Sequence, residues 1–285
     1  MMKYNFRYER VGAISTGQDG TIYGDYLFRF DSDGSCKVFS LTNWALLSSF
    51  VLDKSDLLTP HSNSACFGNR FFEEGDAFPL LYCNVYNTYS EDRDRREGTC
   101  CVYRLLHEGT GFISRLVQVI RIGFIEDLTL WKSLEMNQDV RPYGNFVVDS
   151  DSDRLYAFTM RDKEAVTRYF AFPLPNLCEG VYDEQLDANV VTLDADQILS
   201  QFDCEYARYL QGACCHGGKI YSLEGFADET DPPKMQVIDL EKQEQCAVAE
   251  LFQMGLRDEP ELVAFKEDTL YYANHAGEVY LLHFD

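Results

Sequence analysis

The sequence is poor in positive charge and has no long apolar run. Its 285 residues include 25 lysines and arginines against 47 aspartates and glutamates, which gives a formal net charge of −22. Such a negative field repels phosphate backbones, so we expect no nucleic-acid partner. No stretch approaches the roughly 18 apolar residues of a membrane helix, so we also expect no membrane partner.

Motifs of common catalytic and cofactor sites are absent as well. The chain has no glycine-rich dinucleotide fingerprint, no P-loop and no nucleophile elbow. A Cys-Cys-His run ends at His216 without a second cluster of ligands. The Asp-rich turns near Asp31 and Asp149 lack the bidentate glutamate of a calcium-binding loop. The sequence therefore predicts no metal site and no cofactor.

Ten cysteines are present, yet no Cys-x-x-Cys motif occurs. Most of the cysteines lie in apolar strand-like runs, where cysteine behaves as a small hydrophobic residue. The N-terminal segment MMKYNFRYER is not followed by the apolar core of a secretory signal peptide. We therefore expect reduced thiols in the core of a cytoplasmic protein.

What the sequence does contain is a fivefold repeat of two short strands around a turn. The first copy spans residues 26–41, YLFRFDSDGSCKVFSL, with an Asp-Gly turn in its middle. In every copy an apolar residue followed by an aromatic one marks the first strand: Leu27-Phe28, Leu81-Tyr82, Leu155-Tyr156, Ile220-Tyr221 and Leu270-Tyr271. Five copies use up the whole chain.

Apolar strand-like runs flank the copies, so that each repeat has four strands. The run NVVTL at residues 189–193 is predicted as the outermost strand of the third repeat. The fifth repeat has no such run, but the N-terminal segment NFRYERVGAI has the alternating pattern that would supply it. Two stretches, residues 126–136 and 194–210, have helical spacing and are predicted as helical inserts.

Four antiparallel strands per repeat are the pattern of a β-propeller blade. Over its whole length the sequence resembles this architecture at large, and it carries neither the Trp-Asp dipeptide nor the Asp box of particular propeller families. The predicted fold is all-β, a single-domain five-bladed β-propeller over residues 1–285. Its blades are four-stranded and antiparallel, and an N-terminal strand in the last blade closes the ring.

The ligand site of a propeller is expected where the inner strands enter the central channel, because loops on a rigid ring can vary freely. The polar residues that this rule places there are Gln18, Asp19, His61, Asn63, Arg141, Tyr143, Asn145, Gln211, Glu259 and Glu261. The amides among them could satisfy backbone groups at the narrow end of the channel, or they could bind a polar ligand such as a sugar.

His61 and Arg141 also have two interpretations each. His61 follows Pro60 and could be a turn histidine bonded to a carbonyl, or a ligand or base. Arg141 could pair with Glu259 or Glu261 across the channel, or it could clamp the carboxylate or phosphate of a ligand.

Two functions fit this pattern. The first is a non-catalytic binding or scaffold propeller that recognises a polar small molecule, a glycan or a protein segment at the channel face. The alternative is a carbohydrate-active hydrolase or lyase, which needs two carboxylates at a defined separation. Asp19 and Glu261 are the candidate pair, with His61 or Arg141 assisting. Amides occupy the other three inner-strand positions, so the sequence favours binding and leaves catalysis open.

Overall fold

The computed structural model describes residues 2–3, 6–85, 98–109, 111–124, 144–161 and 164–284. The described chain begins with strands β1 (Met2–Lys3) and β2 (Phe6–Ala13). Blade 1 follows as β3 (Gly20–Tyr23), β4 (Tyr26–Phe30), β5 (Ser35–Ser40) and β6 (Leu46–Val51). A one-turn helix α1 (Ser55–Leu58) leads into blade 2, which contains β7 (Ala65–Phe67), β8 (Leu81–Val85), β9 (Thr99–Glu108) and β10 (Gly111–Ile122).

The remaining three blades follow in chain order. Blade 3 contains β11 (Asn145–Asp149), β12 (Arg154–Arg161), β13 (Val166–Pro173) and β16 (Ser200–Glu205). Between β13 and β16 the chain forms β14 (Val181–Asp183) and β15 (Ala188–Leu193), which join the sheet of blade 2, and a 3-10 turn (Ala195–Gln197). Blade 4 contains β17 (Leu210–His216), β18 (Lys219–Glu224), β19 (Lys234–Asp239) and β20 (Glu244–Ala249). Blade 5 contains β21 (Pro260–Lys266), β22 (Thr269–Asn274) and β23 (Glu278–Phe284).

The blades form a closed ring. Each inner strand contacts the inner strand of the next blade, in the order β3, β7, β11, β17, β21 and back to β3. Among the four strands that make up each blade, neighbouring strands pair antiparallel. These observations confirm the predicted five-bladed β-propeller with four-stranded blades.

The N-terminal strand closes the ring as predicted. Strand β2 pairs antiparallel with β23 along the outside of blade 5, with Phe6 opposite Phe284 and Ala13 opposite Glu278. The first residues make a second strand pairing, because β1 pairs parallel with β20 at the outer edge of blade 4. The start of the chain therefore joins the last two blades.

Five hydrophobic clusters fill the five interfaces between blades. Phe28 packs with Tyr103 in the interface of blades 1 and 2, and Tyr156 packs with Ile220 in that of blades 3 and 4. The other three clusters lie between blades 2 and 3, 4 and 5, and 5 and 1. Each sheet is covered on both faces, which explains why middle strands such as β8, LYCNV, are buried at every position.

The outer strand of blade 3 differs from the prediction. The run NVVTL belongs to β15, which pairs parallel with β10 and so extends blade 2. The outer strand of blade 3 is instead β16, whose residues were predicted to be helical. Phe202 and Cys204 alternate with exposed residues along β16, and the Phe202 ring stacks on Tyr169 at 5.3 Å. This contact with blade 3 prevails over the weak local helical spacing.

The two predicted helical inserts, residues 194–210 and 126–136, have different outcomes. Of residues 194–210, only the 3-10 turn is helical, and Asp194 and Gln197 cap it reciprocally. Residues 126–136 lie outside the described residues. No helix in the described ranges has the length and apolar character needed to cross a membrane.

Candidate functional site

The residues before the inner strands meet at one end of the channel. His61 Nε2 lies 3.0 Å from Gln18 Oε1, Asn63 Nδ2 lies 3.5 Å from Asn145 Oδ1, and Gln211 Nε2 donates to Glu259 Oε1 at 2.9 Å. Direct contacts thus link most of the residues that the sequence placed at the channel face. Arg141 and Tyr143 lie outside the described residues.

On one side of the channel, three buried asparagines hold the blades together. Asn63 Nδ2 donates to the Leu210 carbonyl at 2.7 Å, and Asn145 Nδ2 donates to the Gln211 carbonyl at 2.6 Å. The third, Asn84, donates through Nδ2 to a backbone carbonyl of blade 3 and accepts through Oδ1 from a backbone N–H of blade 2. We call Asn63, Asn84 and Asn145 the amide cluster. Its bonds satisfy backbone groups, and a ligand-binding role for it stays a prediction.

Asp19 lies at the centre of the ring with no solvent exposure. Its Oδ2 accepts from the backbone N–H of Ala65 in blade 2 at 2.9 Å and of Ala213 in blade 4 at 3.4 Å. Burial raises the pKa of Asp19 well above its usual value, although these backbone hydrogen bonds act in the opposite direction. Asp19 therefore joins three blades from a position that solvent does not reach.

The close approach around Asp19 requires a glycine in blade 4. A Cβ on Gly212 would lie 2.7 Å from Asp19 Oδ1 and 2.0 Å from the Glu261 carbonyl oxygen. Only a residue without a side chain fits between these two groups.

A buried arginine, Arg29, lies beside Asp19 on strand β4. Its Nη2 donates to the carbonyls of Gly17 at 2.6 Å and Asn274 at 3.1 Å, whereas Nε and Nη1 have no partner among the residues that the structure describes. Burial lowers the pKa of Arg29, and the charges of Glu261 and Asp19 raise it. The arginine thus supplies positive charge between blades 1 and 5.

Glu259, Glu261 and His275 form the acidic mouth of the channel. One ligand atom from each of the three lies within 4.8 Å of the others. His275 Nδ1 is 3.0 Å from Glu261 Oε1, and the His275 backbone N–H donates to the Glu259 carbonyl at 2.8 Å. The His275 side chain is 48% exposed and the Glu261 side chain only 1%. The mouth therefore reaches from the buried channel to the solvent.

Burial and hydrogen bonding perturb every titratable group of the acidic mouth. Burial raises the pKa of Glu259 and of Glu261. Repulsion from Asp258 adds to the rise in the pKa of Glu259, and repulsion from Glu259 adds to the rise in the pKa of Glu261. The hydrogen bond to Glu261 raises the pKa of His275. Clusters of perturbed groups of this kind are enriched at functional sites.

The walls of the mouth contain strained and aromatic residues. Ser62 and Tyr209 precede the inner strands of blades 2 and 4 with φ of 53° and 61°, in the left-handed region that bulky residues avoid. The Tyr209 ring packs against Phe226 with centroids 4.4 Å apart. Burial lowers the pKa of His61 to about 4, so this histidine is neutral at pH 7. Strained backbone of this kind persists only where the surrounding structure holds it, and it is enriched at binding sites.

A wider groove between the outer strands of blades 3 and 4 lacks such features. It encloses about 790 Å³ and is lined by residues that include Asp203, Lys242 and Cys246. Two of its charged groups, Asp203 and Lys242, are already paired, since Asp203 bonds Arg168 at 2.7 Å and Lys242 lies 3.4 Å from Asp239. In contrast, among the described residues neither Glu259 nor Glu261 forms an ion pair with a lysine or arginine. The acidic mouth is therefore the better candidate site.

Sequence reasoning missed Arg29, Asn84 and His275. Arg29 and Asn84 each interrupt an otherwise apolar strand, YLFRF and LYCNV, and a polar residue in such a run signals a buried partner. The sequence around His275 gives no such signal. It indicates a turn after β22, but it does not show that this turn lies beside Glu259 and Glu261 at the start of β21.

Comparisons with known proteins report on the fold alone. No protein-family model matches this sequence, and no curated protein matches it. The crystal structure of Myxococcus xanthus glutaminyl cyclase is similar in fold, with a TM-score of 0.53 and 9% identity over 100% of this chain and 99% of that chain. Saccharomyces cerevisiae Sqt1 gives a TM-score of 0.37 at 8% identity over 91% of this chain and 55% of that chain.

Proposed function

We propose that this protein is a binding propeller whose ligand presents a positive charge or hydrogen-bond donors to the acidic mouth. A polar small molecule, a glycan or a protein segment can carry such groups. The observation that supports this proposal is the convergence of Glu259 and Glu261, within 4.8 Å of each other and of His275, without a lysine or arginine partner in the described chain.

Burial favours an incoming donor at this position. Glu261 Oε2 lies out of solvent contact and has no donor within the described ranges, and a buried acceptor without a donor costs about 1–3 kcal/mol. A ligand that donates to this oxygen removes that cost. Gln211 and the Tyr209–Phe226 pair supply a polar and an aromatic wall beside it.

Catalysis by Asp19 and Glu261 has less support. A glycosidase pair must flank a bond of the substrate, whereas Asp19 is fully buried and its Oδ2 is occupied by two backbone N–H groups. A substrate would have to break the contacts of three blades to reach it.

A thermal-shift screen tests the proposal with alkylamines, sugars, small acids and short basic peptides. A ligand at about 100 times its Kd adds about 2.7 kcal/mol of stability and so raises the Tm measurably. The Glu259→Gln variant should lose this shift, because it removes a negative charge and keeps the side-chain size. Glu241→Gln, at an exposed turn after β19, is the matched control and should keep it. The proposal is wrong if no compound raises the Tm, or if Glu259→Gln responds like the control.

A further inference from the structure

We propose that the acidic mouth binds one divalent metal ion through Glu259, Glu261 and His275. The proposal deepens the proposed function, because a metal held by three protein ligands keeps a position open for a further ligand. It stands on the geometry of the three side chains and does not require that the ligand be known.

The distances suit a small transition-metal ion. Zinc lies about 2.0–2.2 Å from histidine nitrogen and carboxylate oxygen, so two of its ligands can stand 3.0 Å apart, the separation of His275 Nδ1 and Glu261 Oε1. The third ligand atom, from Glu259, lies within 4.8 Å of both. A small rotation of the partly exposed Glu259 side chain closes this gap.

The negative charges around the acidic mouth favour a bound cation. Among the described residues, neither the buried Glu261 Oε2 nor the nearby buried Asp19 Oδ1 has a hydrogen-bond partner. Arg29, the nearest buried positive charge, makes its hydrogen bonds to backbone carbonyls and not to these carboxylates. A divalent ion would offset the repulsion between Glu259 and Glu261.

Neighbouring groups hold the three ligands in place. Gln211 Nε2 donates to Glu259 Oε1 at 2.9 Å, as groups behind metal-bound carboxylates do. The turn that carries His275 ends at Gly277, with φ of 85°, where a Cβ would lie 2.2 Å from the Ile14 carbonyl oxygen. The segment that follows β2 therefore fixes the turn and, through it, the position of His275.

The ligand types predict which ions bind. One imidazole with two carboxylates suits zinc, manganese, nickel and cobalt, whereas calcium prefers an all-oxygen set of six to eight ligands. We therefore expect zinc to bind at least about tenfold more tightly than calcium.

Isothermal titration of the full chain, stripped with EDTA and dialysed free of it, tests the site with Zn²⁺, Mn²⁺ and Ca²⁺. We expect one zinc per chain, and a loss of at least about tenfold in affinity for His275→Ala and for Glu259→Gln. Both side chains are partly exposed, so these variants should fold even where a change at the buried Glu261 does not. His216→Ala is the matched control, since His216 pairs with Asp268 at the opposite end of the ring and should not affect binding.

Cobalt supplies a second readout. Co²⁺ bound to the stripped protein should give visible absorption bands of a site with nitrogen and oxygen ligands, and His275→Ala should alter or abolish them. The proposal is overturned if zinc does not saturate at one ion per chain, or if His275→Ala binds zinc as His216→Ala does.

The ligand screen, run with zinc and again with EDTA, separates this proposal from the proposed function. If zinc binds but no organic compound raises the Tm, the metal site is supported and the proposed binding function is contradicted. A ligand that raises the Tm in EDTA, on a protein that does not bind zinc, would support the binding function and contradict the metal site.

Discussion

The two sides of the channel differ in how their buried polar groups are hydrogen-bonded. The amide cluster of Asn63, Asn84 and Asn145 is neutral, and its side chains donate to backbone carbonyls of neighbouring blades. The side formed by blades 5 and 1 is charged, and atoms of Asp19, Arg29 and Glu261 there have no hydrogen-bond partner in the described part of the chain.

This difference separates a structural role from a binding role. A neutral amide that is fully bonded stabilises a close approach of strands and has little left to offer a ligand. Charged atoms that lack a partner in the described chain lower the stability, and those of the acidic mouth lie beside the partly exposed His275, where a ligand can reach them. We therefore expect changes on the amide side to affect folding, and changes at the acidic mouth to affect binding.

The largest effect on stability should come from Asn84→Ala. The change leaves a buried carbonyl in blade 3 and a buried N–H in blade 2 without partners, at about 1–3 kcal/mol each. Urea unfolding followed by circular dichroism should show a loss of about 2–4 kcal/mol. Any ligand identified for the mouth should bind the folded variant with unchanged affinity. A loss below about 1 kcal/mol would show that the amide cluster does not hold the ring together.

A smaller effect should appear in the pH dependence of stability. Burial raises the pKa of Asp19 and Glu261 in the folded state, and the bond to Glu261 raises that of His275. The folded protein then binds more protons than the unfolded chain, so the stability these groups contribute is present at low pH and is lost as pH rises through their folded-state pKa values.

Glu261→Gln removes one of these groups and should gain stability relative to the natural sequence as pH rises from 5 to 8. Urea midpoints at pH 5, 6.5 and 8 measure the change. Asn145→Ala, which removes no titratable group, is the control, and its difference from the natural sequence should be the same at each pH. A constant difference for Glu261→Gln would mean that burial of this carboxyl does not affect folding.

The smallest effect on stability should come from Glu259→Gln. Glu259 is half-buried, and the glutamine keeps the Oε1 that accepts from Gln211. The free energy of unfolding at pH 7 should change by no more than about 0.5 kcal/mol, as at most surface positions. A destabilisation as large as that of Asn84→Ala would mean that the acidic mouth is structural and would remove the contrast between the two sides.

Much of the fold could be predicted from the sequence because it rests on local patterns. Alternating residues and paired apolar-aromatic markers occur within each repeat, and the N-terminal pattern matches the strand that blade 5 lacks. The prediction was wrong for blade 3, where two β-compatible runs, residues 189–193 and 200–205, compete for one place. Periodicity cannot decide between them, because the choice depends on which run packs against Tyr169.

The sequence by itself determined the number of blades, the antiparallel pairing within them and the closure of the ring, since each depends on residues that are near in the chain or repeat along it. Only the tertiary structure decided which polar side chains meet. Arg29 and Asn84 become part of the channel through partners far away in the chain, whereas His275 meets Glu259 and Glu261 where the two ends of one hairpin come together. A hydrogen bond or a charge acts over a few ångströms of space, whatever the separation in sequence.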